Sequence, residues 1–88
     1  MEYRLLGNSG LKVSVVSLGN WFNFQKDDQE SQDQMTKQVK QAWELGINFF
    51  DTAEGYGFGV GEIQLGVALK ALNVPRESYV VSTKIWFN

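Results

Sequence analysis

A hairpin followed by a parallel α/β sheet is the fold class that this 88-residue chain predicts. Three observations carry the prediction. Short apolar-rich runs at 15–19, 47–50 and 79–85 have the length of buried strands rather than helices. Two segments between them, 33–45 and 61–72, space their apolar residues as helices do. Strands alternating with helices imply parallel pairing and right-handed crossovers. Nearly continuous apolar strands suit a sheet covered on both faces.

The hairpin comes first. Residues 3–6 and 11–13 are extended runs on either side of Gly7-Asn8-Ser9-Gly10, a turn-forming sequence. Residues 15–19 form the first core strand and end at Gly19; 20–32 reads as a loop holding Trp21, Phe22 and Phe24. In the first helix, 33–45, Met35, Val39, Ala42 and Trp43 fall on one face, with Ser31 and Gln34 as a capping box and Gly46 as the stop. The second strand, 47–50, delivers Asp51. A glycine-rich loop with Gly55, Gly57, Gly59 and Gly61 leads to the second helix, whose apolar positions are Ile63, Leu65, Ala68, Leu69 and Leu72. Pro75 forbids its extension. The third strand, 79–85, carries Lys84. The βα unit recurs, without a repeat at residue level.

Composition narrows the function. Eighty-eight residues make at most one small domain. The net charge of −2, with no dense basic patch, argues against nucleic acid and anionic membrane as partners. With no cysteine there is no disulfide or thiolate metal site, and with no histidine the commonest general base and metal ligand are missing. Residues 1–4 lack signal-peptide character, and no apolar run approaches the ~20 residues of a membrane span. A soluble, cytoplasmic protein is the expectation.

The chemistry concentrates at the strand ends, which form the working face of parallel α/β folds. Asp51 opens Asp51-Thr52-Ala53-Glu54-Gly55-Tyr56, and Lys84 closes Val80-Val81-Ser82-Thr83-Lys84. Each has a bland reading alone: Asp51 a turn carboxylate, Tyr56 a rim aromatic, Lys84 a solvated strand-end lysine. Together they suit proton donation. A phenol is a poor acid, with a reference pKa of about 10. An adjacent ammonium favours its ionised form, and a carboxylate, expected to be buried, holds the ammonium in place. The glycines of 55–61 superficially resemble a phosphate-binding loop, but they read better as turn formers at the mouth of a site. Trp21, Phe22 and Phe24 wall a substrate pocket or cover the sheet rim.

These runs resemble the aldo-keto reductases. The resemblance rests on Tyr3-Arg4-x-Leu6-Gly7-x-Ser9-Gly10-Leu11-Lys12-Val13-Ser14, Leu18-Gly19-x-Trp21, and Gly46-Ile47-Asn48-x-Phe50-Asp51-Thr52-Ala53-Glu54-x-Tyr56-Gly57. It continues through Gly61-Glu62-x-x-Leu65-Gly66 and Arg76-Glu77-x-Tyr79-Val80-Val81-Ser82-Thr83-Lys84. The wording Asp-Thr-Ala-Glu and the ending Thr83-Lys84-Ile85-Trp86-Phe87 are similar to the branch of voltage-gated potassium channel beta subunits. The resemblance implies a (β/α)8 TIM barrel closed below by the hairpin, of which residues 1–88 supply the hairpin and the first three strands. It implies NADPH-dependent reduction of aldehydes and ketones, with Tyr56 as proton donor, Lys84 as the cation beside it and Asp51 as the lysine's partner. Asn20, Trp21 and Asp51 are implied at the nicotinamide end of the cofactor site, with Asn20 where threonine or glycine is more usual.

The resemblance also implies parts that lie outside these residues. They are a catalytic histidine beyond the third strand, the strand residues that hold the carboxamide and the late loops that grip the cofactor's phosphates. A complete barrel takes ~250 residues. The expectation is an incomplete barrel domain, 1–88, inactive by itself. Two alternatives to the reductase reading remain: a regulatory subunit docked on a potassium channel alpha subunit, and a truncated product without independent activity. A homo-tetramer is implied only for a full-length form.

Overall fold

The structure, a computed structural model, describes residues 1–21 and 25–85. Strands β1 (Tyr3–Leu5) and β2 (Lys12–Ser14) pair antiparallel, with Tyr3 opposite Ser14. Strand β3 (Leu18–Gly19) then leads to helix α1 (Gln29–Glu44) and strand β4 (Phe49–Asp51). A 3₁₀ turn, Tyr56–Gly59, runs into helix α2 (Val60–Leu72), and a second one, Arg76–Ser78, into strand β5 (Val80–Ser82). The core sheet is parallel in the order β3-β4-β5. The predicted hairpin-then-βαβαβ order is therefore observed.

The first core strand is shorter than predicted. Val15 and Val16 are about half exposed, and the Val15 N–H donates to the Glu2 carbonyl at 2.9 Å. The chain there is still leaving the hairpin, and parallel pairing with β4 starts only at Leu18. The third strand is also shorter than the 79–85 run. Its backbone nevertheless stays alongside the segment after β4: Thr52 N–H donates to Ser82 O at 2.9 Å and Glu54 N–H to Lys84 O at 3.1 Å.

Helix α1 begins four residues before the predicted start because the cap is Asp28, not Ser31. The Asp28 carboxylate accepts the Ser31 N–H at 2.8 Å, and that backbone hydrogen bond holds its pKa below the usual aspartate value. Ser31 is thus already inside the first turn. The other end follows the prediction. Gly46 takes φ +96°, its N–H reaches Trp43 O at 2.9 Å and the Ile47 N–H reaches Ala42 O at 3.0 Å. These are the paired bonds of a glycine-terminated helix, and they turn the chain directly into β4.

Met35, Val39 and Ala42 of α1 meet Leu65, Ala68 and Leu69 of α2 over Ile47 and Phe50. Phe50 and Val39 are fully buried. Phe50→Ala in a complete barrel carrying this segment should cost about 3–5 kcal/mol in denaturant melts, because its ring lies at the junction of both helices and the sheet. The predicted apolar face of α2 needs one correction. Ile63 is 66% exposed, whereas Gln64 beside it is buried. Gln64 is tolerated there because it is satisfied: it accepts from Gln25 Nε2 at 2.9 Å and donates to Lys26 O at 2.8 Å.

The hairpin docks on the amino-terminal side of the sheet through Asn48. Asn48 Oδ1 accepts the Ser14 N–H at 2.8 Å and Nδ2 donates to Lys12 O at 3.0 Å. The Tyr3 hydroxyl donates to Gly46 O at 2.6 Å. A cleft of about 380 Å³ there is lined by Tyr3, Lys12, Trp43 and Asn48, at the end of the strands opposite the charged residues.

Candidate active site

Pairing register places Gly19, Asp51 and Ser82 side by side as the last residues of β3, β4 and β5. Side chains of an extended chain alternate faces, so Ser82 and Lys84, two residues apart, lie on the same side. Both reach Asp51. The Ser82 hydroxyl donates to Asp51 Oδ1 at 2.6 Å and the Lys84 ammonium to Oδ2 at 2.8 Å. Lys84 also donates to the Thr52 carbonyl at 2.8 Å. The ammonium is therefore held by one charged and one neutral acceptor at the mouth of the sheet.

The Lys84 nitrogen stands 5.0 Å from the centroid of the Tyr56 ring. On the ring's account, the 3₁₀ turn matters. Gly57 and Gly59 take φ +59° and +100°, which returns the chain after Tyr56 toward the start of α2. Phe58 shares a positive φ and is fully exposed. Trp21, 70% exposed, lies against Tyr56 with ring centroids 6.2 Å apart and planes 25° from parallel.

Titration follows from these contacts. Partial burial pushes the Asp51 carboxyl upward, but hydrogen bonds from Lys84 and Ser82, with the lysine's charge, outweigh it and hold Asp51 below the usual aspartate value. For Lys84 the Asp51 carboxylate is the main cause of an upward shift; desolvation opposes it and the Tyr56 phenol adds to it. The Asp51–Lys84 pair is not the buried pair expected from sequence. The side chains are 36% and 47% exposed, because both project beyond the last strand residues.

The structure thus brings together four of the residues singled out from sequence: Asp51, Tyr56, Lys84 and Trp21. Asn20 is placed differently from the other four. It is buried, its N–H donates to Asp51 O at 3.2 Å, and Nδ2 donates to Gly61 O at 2.8 Å. Phe22 and Phe24 lie outside the described residues, as do Trp86 and Phe87. Ser82 was missed as a partner of Asp51. The two-residue spacing from Lys84 is the signal that identifies it.

A flat, exposed indole beside a phenol, an ammonium and a carboxylate suits the nicotinamide end of a dinucleotide, so Trp21 and Asp51 fit such a group. The Asn20 side chain faces the α2 amino terminus instead. Among the described residues no group of histidine, cysteine, aspartate and glutamate could hold a metal ion, and no helix is long and apolar enough to cross a membrane.

A parallel βα array with a carboxylate hydrogen-bonded to an ammonium beside a phenol at its strand ends is the arrangement set against known proteins. The model of the aldo/keto reductase family matches residues 15–88, and the chain belongs to that family. It is 48% identical over 88 residues to a candidate voltage-gated potassium channel subunit beta of Schizosaccharomyces pombe, covering 99% of this chain and 25% of the relative. It is 46% identical over 84 residues to L-galactose dehydrogenase of Arabidopsis thaliana, covering 96% and 26%. A crystal structure of a thermostable aldo-keto reductase with the inhibitor epalrestat superposes with a TM-score of 0.81 at 33% identity, over 98% of this chain and 31% of that one. The chain therefore spans about a quarter of the length of these curated relatives, and its fold is the first part of the family's TIM barrel.

Proposed function

We propose that this segment is the proton-donating part of an NADPH-dependent reductase of aldehydes and ketones. The single observation that supports it most is the hydrogen-bonded Asp51–Lys84 pair set 5.0 Å from the Tyr56 ring. Tyr56 gives its proton to the carbonyl oxygen. Lys84 is the fixed positive charge that favours the phenolate left behind, and Asp51 with Ser82 fixes Lys84. Trp21 and Asp51 edge the nicotinamide end. When bound, NADPH supplies the hydride that goes to the carbonyl carbon. A soluble, cytoplasmic setting suits small carbonyl substrates.

The test is a chimeric barrel in which residues 1–88 replace the matching stretch of the Schizosaccharomyces pombe relative, assayed with an aromatic aldehyde and NADPH. Turnover that depends on Tyr56 supports the reading. A folded, NADPH-binding chimera without turnover overturns it. Residues 1–88 expressed by themselves should not reduce the aldehyde, because three strands leave the sheet open at β3 and β5; turnover by the isolated segment, lost on Tyr56→Phe, counts against this.

The 48% identity to a candidate channel subunit favours one second reading, a regulatory role on a potassium channel alpha subunit, with a homo-tetramer as the assembled form. Co-purification of the chimera with the alpha subunit tests it, and absence of the channel from the purified material rejects it.

A further inference from the structure

The geometry points to Asn20 as a positioning residue that holds Tyr56 in place through Gly61, an inference that rests on the reductase reading above. Asn20 is 1% exposed, so its side chain has no open face toward a substrate or dinucleotide. Its bonds go elsewhere. Main-chain N–H meets Asp51 O at 3.2 Å, and side-chain Nδ2 meets Gly61 O at 2.8 Å. Oδ1 has no partner among the described residues, so the Gly61 bond is the side chain's one polar anchor there.

Gly61 is the second residue of α2 and packs directly against Tyr56. A Cβ placed on it would lie 2.8 Å from Tyr56 Cβ, closer than real contacts allow, and a tight 3.0 Å from Tyr56 O. The Val60 N–H meanwhile donates to the Tyr56 carbonyl, which winds this turn tightly on itself. Where Gly61 sits therefore decides where Tyr56 sits. Asn20 fixes Gly61 to the end of β3 and fixes that end to the strand carrying Asp51. The next residue, Trp21, stacks on the Tyr56 ring. One buried amide thus sets the spacing between the carboxylate that anchors Lys84 and the turn that carries the phenol. Asn is suited to this because its short side chain donates from a carboxamide that burial does not charge.

The test uses the chimeric barrel with Asn20→Ala and Gly61→Ala, each made with Tyr56 present and with Tyr56→Phe. Three quantities are read: kcat, the Kd for NADPH, and amide hydrogen exchange over residues 54–62. Both variants should lower kcat on the order of 10- to 100-fold, the expected result of displacing a catalytic group by a fraction of an ångström to 1 Å. NADPH Kd should change by less than about twofold, since neither side chain faces the cofactor. In the Tyr56→Phe background neither substitution should lower turnover further, as groups acting through one another are not additive. Exchange over 54–62 should speed up in Asn20→Ala. Gly61→Ala keeps the inference testable should Asn20→Ala fold poorly. A Kd that rises in step with the loss of kcat, a loss that persists without the Tyr56 hydroxyl, or unchanged exchange overturns the inference. Full activity of Tyr56→Phe itself defeats the reductase reading instead, and the exchange arm then still decides whether Asn20 holds the turn.

Discussion

Tyr56→Phe in the chimeric barrel should lower carbonyl turnover by on the order of 10²–10⁴-fold, the range that a positioned proton donor contributes. Loss of one hydroxyl leaves the ring, so the stack on Trp21 and the cation above the phenyl face both survive. Cofactor Kd and thermal stability should therefore stay close to those of the parent. This split separates a donor from a rim aromatic. A donor acts only in the transition state, and its removal lowers kcat and kcat/KM together. A rim aromatic acts through its ring surface, which phenylalanine retains. Near-parental kcat in Tyr56→Phe would return Tyr56 to the rim.

Much of this arrangement is legible in the sequence because the folding code and the chemistry coincide at strand ends. The apolar run before Asp51 fixes where β4 stops, and pairing in register does the rest: Asp51 falls beside Ser82, and Lys84 follows on the same face. Gly46 announces the end of α1 because only a residue free to take φ +96° closes that turn cheaply. The errors have physical causes of the same kind. Asp28 and Ser31 are both good caps, and composition does not say which carboxylate or hydroxyl meets the third amide. Val15 and Val16 have strand propensity, yet the hairpin's own bond to Glu2 O holds them away from the sheet. Gln64 reads as polar surface, and only the arrival of Gln25 and Lys26 O from a distant loop allows its burial. Nor does anything local to Asn20 reveal that its partner lies 41 residues on, at Gly61.

Lys84→Met should separate activity from stability. Turnover should fall steeply, because methionine fills similar volume but carries no charge to favour the Tyr56 phenolate. Stability should fall little, since the pair is exposed enough for water and salt to screen it. The pH dependence carries the clearer signature. In the parent, Asp51 has a folded pKa below its unfolded one, so its contribution is present above the unfolded value and is lost as pH falls through the folded value. Lys84 has a folded pKa above the ordinary lysine value, so its contribution is present below that value and is lost as pH rises through the folded one. The pair therefore supports the fold across the whole range between the two limits. Lys84→Met deletes the alkaline limit and leaves partial burial to push Asp51 up, with Ser82 alone opposing it. The acid loss of stability due to Asp51 should then disappear, because a carboxyl that burial pushes up no longer favours the fold in its ionised form. Asp51→Asn should abolish the acid limb due to this carboxyl while keeping more activity, because its amide oxygen still accepts from the Lys84 ammonium. Thermal melts and pH–rate curves of the three chimeras decide the matter: a Lys84→Met protein with an unmoved acid limb and parental turnover would mean that the strand-end lysine is a solvated bystander and that Tyr56 works, if at all, without it.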